Sequence, residues 1–225
     1  MITLTNIRKN YGEKMVLDGV SLEAEQGKIL CVLGESGGGK TTLLNILAGL
    51  TDYEGTIEGK PETVSYVFQE PRLIPHLTVR QNLRYVGGTD EVIDELLAAV
   101  ELTAHADKRP SKLSGGERQR VAFARAFLGQ EEGLLLMDEP FSSLDTALKI
   151  RLAEAFARLW EKGGKRSAVF VTHDLEEALM LADRVVVLRE GKIALDLTLE
   201  RPTFPAPYGA PRKEREIILQ TLLNG

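Results

Sequence analysis

Three short stretches of this 225-residue chain carry side chains able to do chemistry together. The first, GESGGGKT, runs Gly34, Glu35, Ser36, Gly37, Gly38, Gly39, Lys40, Thr41, with Thr42 next. It fits the P-loop pattern. Glycines let the backbone turn so that its N–H groups converge on phosphate oxygens, the lysine reaches the β and γ phosphates, and the last hydroxyl meets Mg2+. Glu35 is an acid near those phosphates, at a position that tolerates many side chains if it points outward. The second stretch, LLLMDEP over 134–140, is an apolar run closing on two carboxylates. Asp138 is placed to hold Mg2+ through water, and Glu139 to face a γ phosphate as general base for an attacking water. Two acids there point to hydrolysis rather than to binding alone. The third, KLSGGERQR over 112–120, sets Ser114, Gly115 and Gly116 before a charged and then apolar helix. Alone it reads as a helix cap. The same turn presents free N–H groups to an anion, a second phosphate site in a chain that already has one.

Such groups need elements to hold them. MITLTNIRKN and VLDGVSLEAE read as strands, and KILCVLG is the continuous apolar run of a strand buried on both faces. TTLLNILAGL has helical spacing closed by Gly49, so the glycine-rich loop joins a strand to a helix. Short strands follow at GTIEG and TVSYVFQ. Then HLTVRQNLRYV, DEVIDELLAAVEL and GGERQRVAFARAFL are helical by period. From Leu134 the strand–helix rhythm returns, which predicts a parallel sheet with right-handed crossovers. The expected fold class is α/β: a P-loop NTPase core with a mostly parallel sheet, an N-terminal antiparallel β subdomain and an inserted α-helical subdomain. The boundaries are 1–69 and 113–200 for the core, about 70–112 for the insertion running into the next helix, and 201–225 for a Pro-rich tail ending in a short amphipathic helix. All of it forms one domain over 1–225.

Composition excludes several classes. The 28 Lys and Arg against 33 Asp and Glu give a net charge of −5, so no global basic field draws the chain to nucleic acid. No apolar run reaches the roughly 20 residues needed to span a bilayer, and the N-terminus lacks the order of a signal peptide. The expected location is cytoplasmic. The single Cys31 forms no internal disulfide and reads as a buried strand residue. His76 and His105 match no motif and are expected at the surface.

With the P-loop, LLLMDEP and LSGGE in this order, the chain resembles the ATP-binding subunits of ABC transporters, whose signature LSGGQ corresponds to Leu113, Ser114, Gly115, Gly116 and Glu117. The likeness runs from ITLTNIRKNYG to about Asp196. It implies ATP and Mg2+ as cofactors. It also implies that Tyr11 stacks on adenine, that Gln69 contacts Mg2+ and the attacking water, and that His173 is a switch residue bonding the γ phosphate. The SSLD stretch, 142–145, resembles the loop that signals between subunits. By the same resemblance two chains, alike or different, pack head to tail. Ser114 to Gly116 of one then close over the γ phosphate on the P-loop of the other, which accounts for the second phosphate site. The resemblance further implies that the dimer powers a separate transmembrane permease from the cytoplasmic face of the membrane. YVFQEPRLIPHLTVRQNL and the tail are similar to the nitrate, sulfonate and taurine importer group, whose members work with an extracytoplasmic substrate-binding protein. In this reading 70–79, with Leu73, Ile74 and Leu77, is an exposed contact surface for the permease, the alternative being that these three pack the small helical subdomain, and no regulatory domain follows the tail. The alternative is a soluble ABC ATPase of an assembly or repair complex. The chain departs from the family pattern in two places: GQEEGLLLMDEP lacks the proline that commonly precedes this strand, and the stretch between Tyr53 and Gln69 is short, which puts the local sheet edge in question.

Overall fold

The computed structural model describes residues 1–128, 132–142, 144–162, 166–200 and 203–223. The chain opens with an antiparallel hairpin, β1 (Ile2–Tyr11) and β2 (Lys14–Ala24), then enters β3 (Ile29–Leu33), the glycine-rich loop and α1 (Lys40–Ala48). β4 (Glu54–Glu58) returns to pair with β1, while β5 (Val64–Val67) starts the main sheet. Both short strands form, so the brief 53–69 stretch keeps its sheet edges. The helical stretch supplies α2 (Val79–Arg84) and α3 (Asp90–Ala99) before α4 (Gly115–Phe127). The alternating half follows: β6 (Leu134–Asp138), α5 (Thr146–Lys162), β7 (Ser167–Thr172), α6 (Leu175–Leu181), β8 (Arg184–Arg189), β9 (Lys192–Thr198). After it comes α7 (Lys213–Leu223).

The small sheet has order β2-β1-β4 and the large one β5-β6-β7-β3-β8-β9. β5, β6, β7, β3 and β8 are parallel, and β9 closes the edge as an antiparallel hairpin partner of β8. This is the expected α/β architecture, with one refinement: the antiparallel sheet is not wholly N-terminal, because β4 joins it from beyond α1.

β3 shows why the middle of the sheet reads as one apolar run. Ile29, Cys31 and Leu33 face a core shared with Phe123, Phe156 and Val187. Leu30 and Val32 face a second core shared with Leu43, Leu47 and Ile7. Both faces are buried, so polarity cannot alternate. Burial pushes the Cys31 thiol well above its ordinary pKa, which leaves it an inert core group.

The parallel register matters most for function. Leu33 pairs with Thr172, Asp138 with Val171, and Val67 with Met137, so the C-terminal ends of β3, β7, β6 and β5 finish at one level. In open α/β sheets this edge is where ligands bind, because the loops leaving the strands converge there.

Candidate nucleotide site

Gln69, the Asp138–Glu139 pair, His173 and the loop 34–41 leave the ends of β5, β6, β7 and β3, so the sheet gathers residues far apart in sequence. The loop is a tight backbone turn. A Cβ at Gly34 would lie 2.3 Å from the Leu188 carbonyl oxygen of β8, and Gly39 has φ +99° with a would-be Cβ 2.9 Å from the Val16 carbonyl. We expect Gly34→Ala to force backbone apart and cost about 2 kcal/mol, lowering the melting temperature by about 4–8 °C. An unchanged thermal melt would show that the loop has room to give.

Lys40 is buried at the start of α1, and its Nζ donates to the carbonyls of Gly34 and Glu35, both at 2.8 Å. Burial lowers its pKa, opposed by the nearby Glu139 and Asp138 carboxylates. Thr41 Oγ1 donates to Asp138 Oδ1 at 3.2 Å, and burial raises the pKa of Asp138. A hydroxyl and a carboxylate at that distance beside the loop form a donor pair of the oxygen type that Mg2+ prefers.

Glu139 is the hub of the cluster. Its Oε2 accepts from Gln69 Nε2 at 3.4 Å, and its Oε1 lies 3.2 Å from His173 Nδ1. Its backbone is in the left-handed region at φ +46°, uncommon for a residue with a side chain, and its N–H donates to the Val171 carbonyl at 3.0 Å. The strand pairing with β7 thus continues one residue past β6 before the chain turns, which sets the carboxylate at the mouth of the loop. Such conformations are held only where the surroundings over-determine them and gather at functional sites.

A cavity of about 410 Å3 opens over the loop, lined by Tyr11, Lys14, Val16, Ser36, Gly37, Gly39, Lys40, Thr41, Thr42, Gln69 and Glu139. Glu35 is exposed, and with Gly34 and Gly38 it lines a different depression against β8, which Ser36 and Gly37 also border. Lys14 and Val16 were not expected. The β1–β2 hairpin pairs Lys14 directly with Tyr11, so both reach the cavity from one turn. A lysine after a tyrosine-glycine turn was the signal in the sequence. Lys9 Nζ lies 5.0 Å from the centre of the Tyr11 ring and binds Asp52 at 2.7 Å.

The 113–117 stretch does not line this cavity. Ser114 is the N-cap of α4, and the capping box is complete: its Oγ accepts from Glu117 N at 3.2 Å, and its N–H donates to Glu117 Oε2 at 2.6 Å. The complete cap is compatible with the anion reading, since the first N–H groups of a helix, here those of Gly115 and Gly116, have no partner within it. His105 is a correction. It is half-buried rather than a free surface residue, with Nε2 3.1 Å from Glu117 Oε1; His76 is exposed as expected. α4 also fixes the Gln69 loop, which spacing could not reveal: Gln119 Nε2 donates to the Phe68 carbonyl at 3.3 Å, and Arg125 Nη1 to the Arg72 carbonyl at 2.8 Å.

Residues 17–142 match the ABC transporter family. The chain belongs to this family. An aliphatic sulfonates import ATP-binding protein, SsuB, of Granulibacter bethesdensis is 44% identical, the match covering 100% of this chain and 94% of that one. A second of that name from Streptomyces avermitilis is 43% identical over 98% of this chain and 90% of its own. Among solved structures, a dimeric post-hydrolysis state of an ATP-binding cassette bound to ADP and Pi superposes with a TM-score of 0.76. It is 29% identical, and the match covers 89% of this chain and 100% of that one. As an ABC ATPase, the chain binds ATP with Mg2+ and hydrolyses it. Among its described residues no helix is long and apolar enough to cross a membrane.

Proposed function

We propose that this ABC ATPase is the motor subunit of an importer, working as a head-to-tail pair of chains on the cytoplasmic face of a transmembrane permease, with the whole chain as one ATPase domain. The observation that carries the hydrolytic reading is the Glu139 carboxylate, held at the mouth of the P-loop cavity between Gln69 and His173.

Adenine stacks on Tyr11, with the loop from Gly34 to Thr42 around the phosphates. Lys40 leaves the Gly34 and Glu35 carbonyls to meet the β and γ phosphates. Thr41, Gln69 and Asp138 would hold Mg2+, which would supply charge neutralisation at the γ phosphate. Glu139 takes the proton of the attacking water, and His173 donates to the γ phosphate. Ser114, Gly115 and Gly116 of the second chain close the site. Their absence from this chain's own cavity supports that division.

Import, rather than service in an assembly or repair complex, is supported by relatives named for aliphatic sulfonate import; in this reading an extracytoplasmic substrate-binding protein completes the assembly. The apolar residues expected to be exposed at 70–79 are not. Leu73 packs against the core and Ile74 and Leu77 are half-buried, because the loop folds under α2 through Asn82, whose Oδ1 accepts from Ile74 N at 2.7 Å. The exposed apolar residues of this region are Tyr85, Val86 and Val92.

The test is co-expression with the cognate permease and reconstitution into vesicles. ATP-dependent uptake of an aliphatic sulfonate is expected. Tyr85→Asp with Val86→Asp should weaken co-purification about tenfold, the loss of one or two buried apolar anchors, without changing soluble ATPase activity. A chain that purifies with no membrane protein and gives no uptake would overturn the importer reading.

A further inference from the structure

The turn that carries His173 is built on a partly buried charge network that the hydrolytic reading does not use. Lys149, in the first turns of α5, places Nζ 2.7 Å from Asp174 Oδ2 and 2.7 Å from Glu177 Oε1. Glu177 is 3% exposed, and its Oε2 accepts from Thr172 Oγ1 at 2.6 Å. Thr172 Oγ1 in turn accepts from Asp174 N at 3.0 Å, and Asp174 caps α6 by accepting from Glu176 N at 2.9 Å. The residues on either side of His173 are therefore locked to one ammonium group. The far end of that ammonium is equally fixed. Lys149 N donates to the Asp145 carbonyl at 2.9 Å, and Leu148 N donates to Asp145 Oδ1 at 3.0 Å, so Asp145 and Lys149 share one helical turn.

We propose that Lys149 is a positioning residue for ATP hydrolysis, transmitting the placement of Asp145, at the end of the 142–145 loop, to the turn that aims His173 at the γ phosphate. This rests on the proposed role of His173 and on that loop meeting the second chain. The physical case is rigidity. A rigid helical turn and one short charge-assisted bond, Lys149 to Asp174 at 2.7 Å, connect the two loops, and the Glu177 carboxylate pairs with the same ammonium, so a shift of Asp145 reaches Asp174 without slack. Thr172 extends the link to the nucleotide, because its carbonyl accepts from Gly34 N at 3.3 Å. Neutralising a buried carboxylate alone would not need Asp174 to share the lysine.

The test measures steady-state ATP hydrolysis by the full chain, with His173→Ala alongside. Lys149→Met should lower kcat about tenfold, as misplacement of a catalytic group does, with KM for Mg-ATP within about twofold because no residue of the cavity changes. Lys149→Arg should restore most of kcat, since a guanidinium spans two carboxylates. Asp174→Asn keeps the helix cap and should show the same kcat loss, with no further loss when combined with Lys149→Met. Lys149→Met with Glu177→Gln removes the uncompensated buried carboxylate. It should recover the melting temperature but not kcat. Recovery of both, or a Lys149→Met variant with wild-type kcat while His173→Ala is impaired, would overturn the inference alone. Wild-type turnover by His173→Ala would instead remove the underlying site reading.

Discussion

Replacing Glu139 with Gln is expected to stop ATP turnover while ATP affinity stays within a few fold of the parent. The amide has the volume of the carboxylate and can keep one of its contacts, to Gln69 or to His173, but it cannot take a proton from water. Removal of a general base costs 10²–10⁴-fold, so kcat should fall by roughly a thousandfold. The left-handed backbone at this position argues for a side chain aimed for a purpose, and glutamine is no harder to place there than glutamate. With hydrolysis stopped and binding intact, two chains should stay closed around two nucleotides. The variant should therefore elute as a dimer in ATP and as a monomer without it. A variant that turns over at near the parent rate would take Glu139 out of the reaction.

Much of this site is written in local pattern. KILCVLG before GESGGGKT and TTLLNILAGL after it are a strand, a turn and a helix whatever the rest of the chain does, and LLLMDEP and SAVFVTH end on polar residues as strand ends at a ligand-binding edge must. Of the SSLD stretch, Ser143 lies outside the described residues, as do 129–131 of the GQEEG departure and 201–202 and 224–225 of the tail.

What stayed hidden depends on contacts between distant segments. Lys14 and Val16 enter the cavity only because the β1–β2 hairpin folds over the loop. Gln119 and Arg125 look like ordinary polar positions of a helix until α4 is laid beside the Gln69 loop. Leu73 reads as exposed because two prolines break the local pattern around it; its partners come from the core of the rest of the chain. His105 has no sequence signal at all, since its partner Glu117 is brought to it by the turn before α4.

The central claim is that Ser114, Gly115 and Gly116 complete a site on another chain. Two inactive variants test it. Lys40→Ala removes the ammonium that now sits on the Gly34 and Glu35 carbonyls, and Ser114→Arg fills the approach to Gly115 with a bulky cation. The second also loses the α4 cap, at about 1 kcal/mol, so its fold is checked by circular dichroism. Each variant alone carries two broken sites per dimer, and turnover should be lost in both. In a mixed dimer the intact P-loop of the Ser114→Arg chain faces the intact signature of the Lys40→Ala chain, giving one complete site. Random pairing makes about half the dimers mixed, so activity should return to roughly a quarter of the parent if sites act independently. The decisive measurement is the ATPase rate of the mixture, with mixed dimers confirmed by two affinity tags. Recovery toward a quarter is the predicted result; tagged mixed dimers that hydrolyse no ATP would contradict it and place the signature in the service of its own chain.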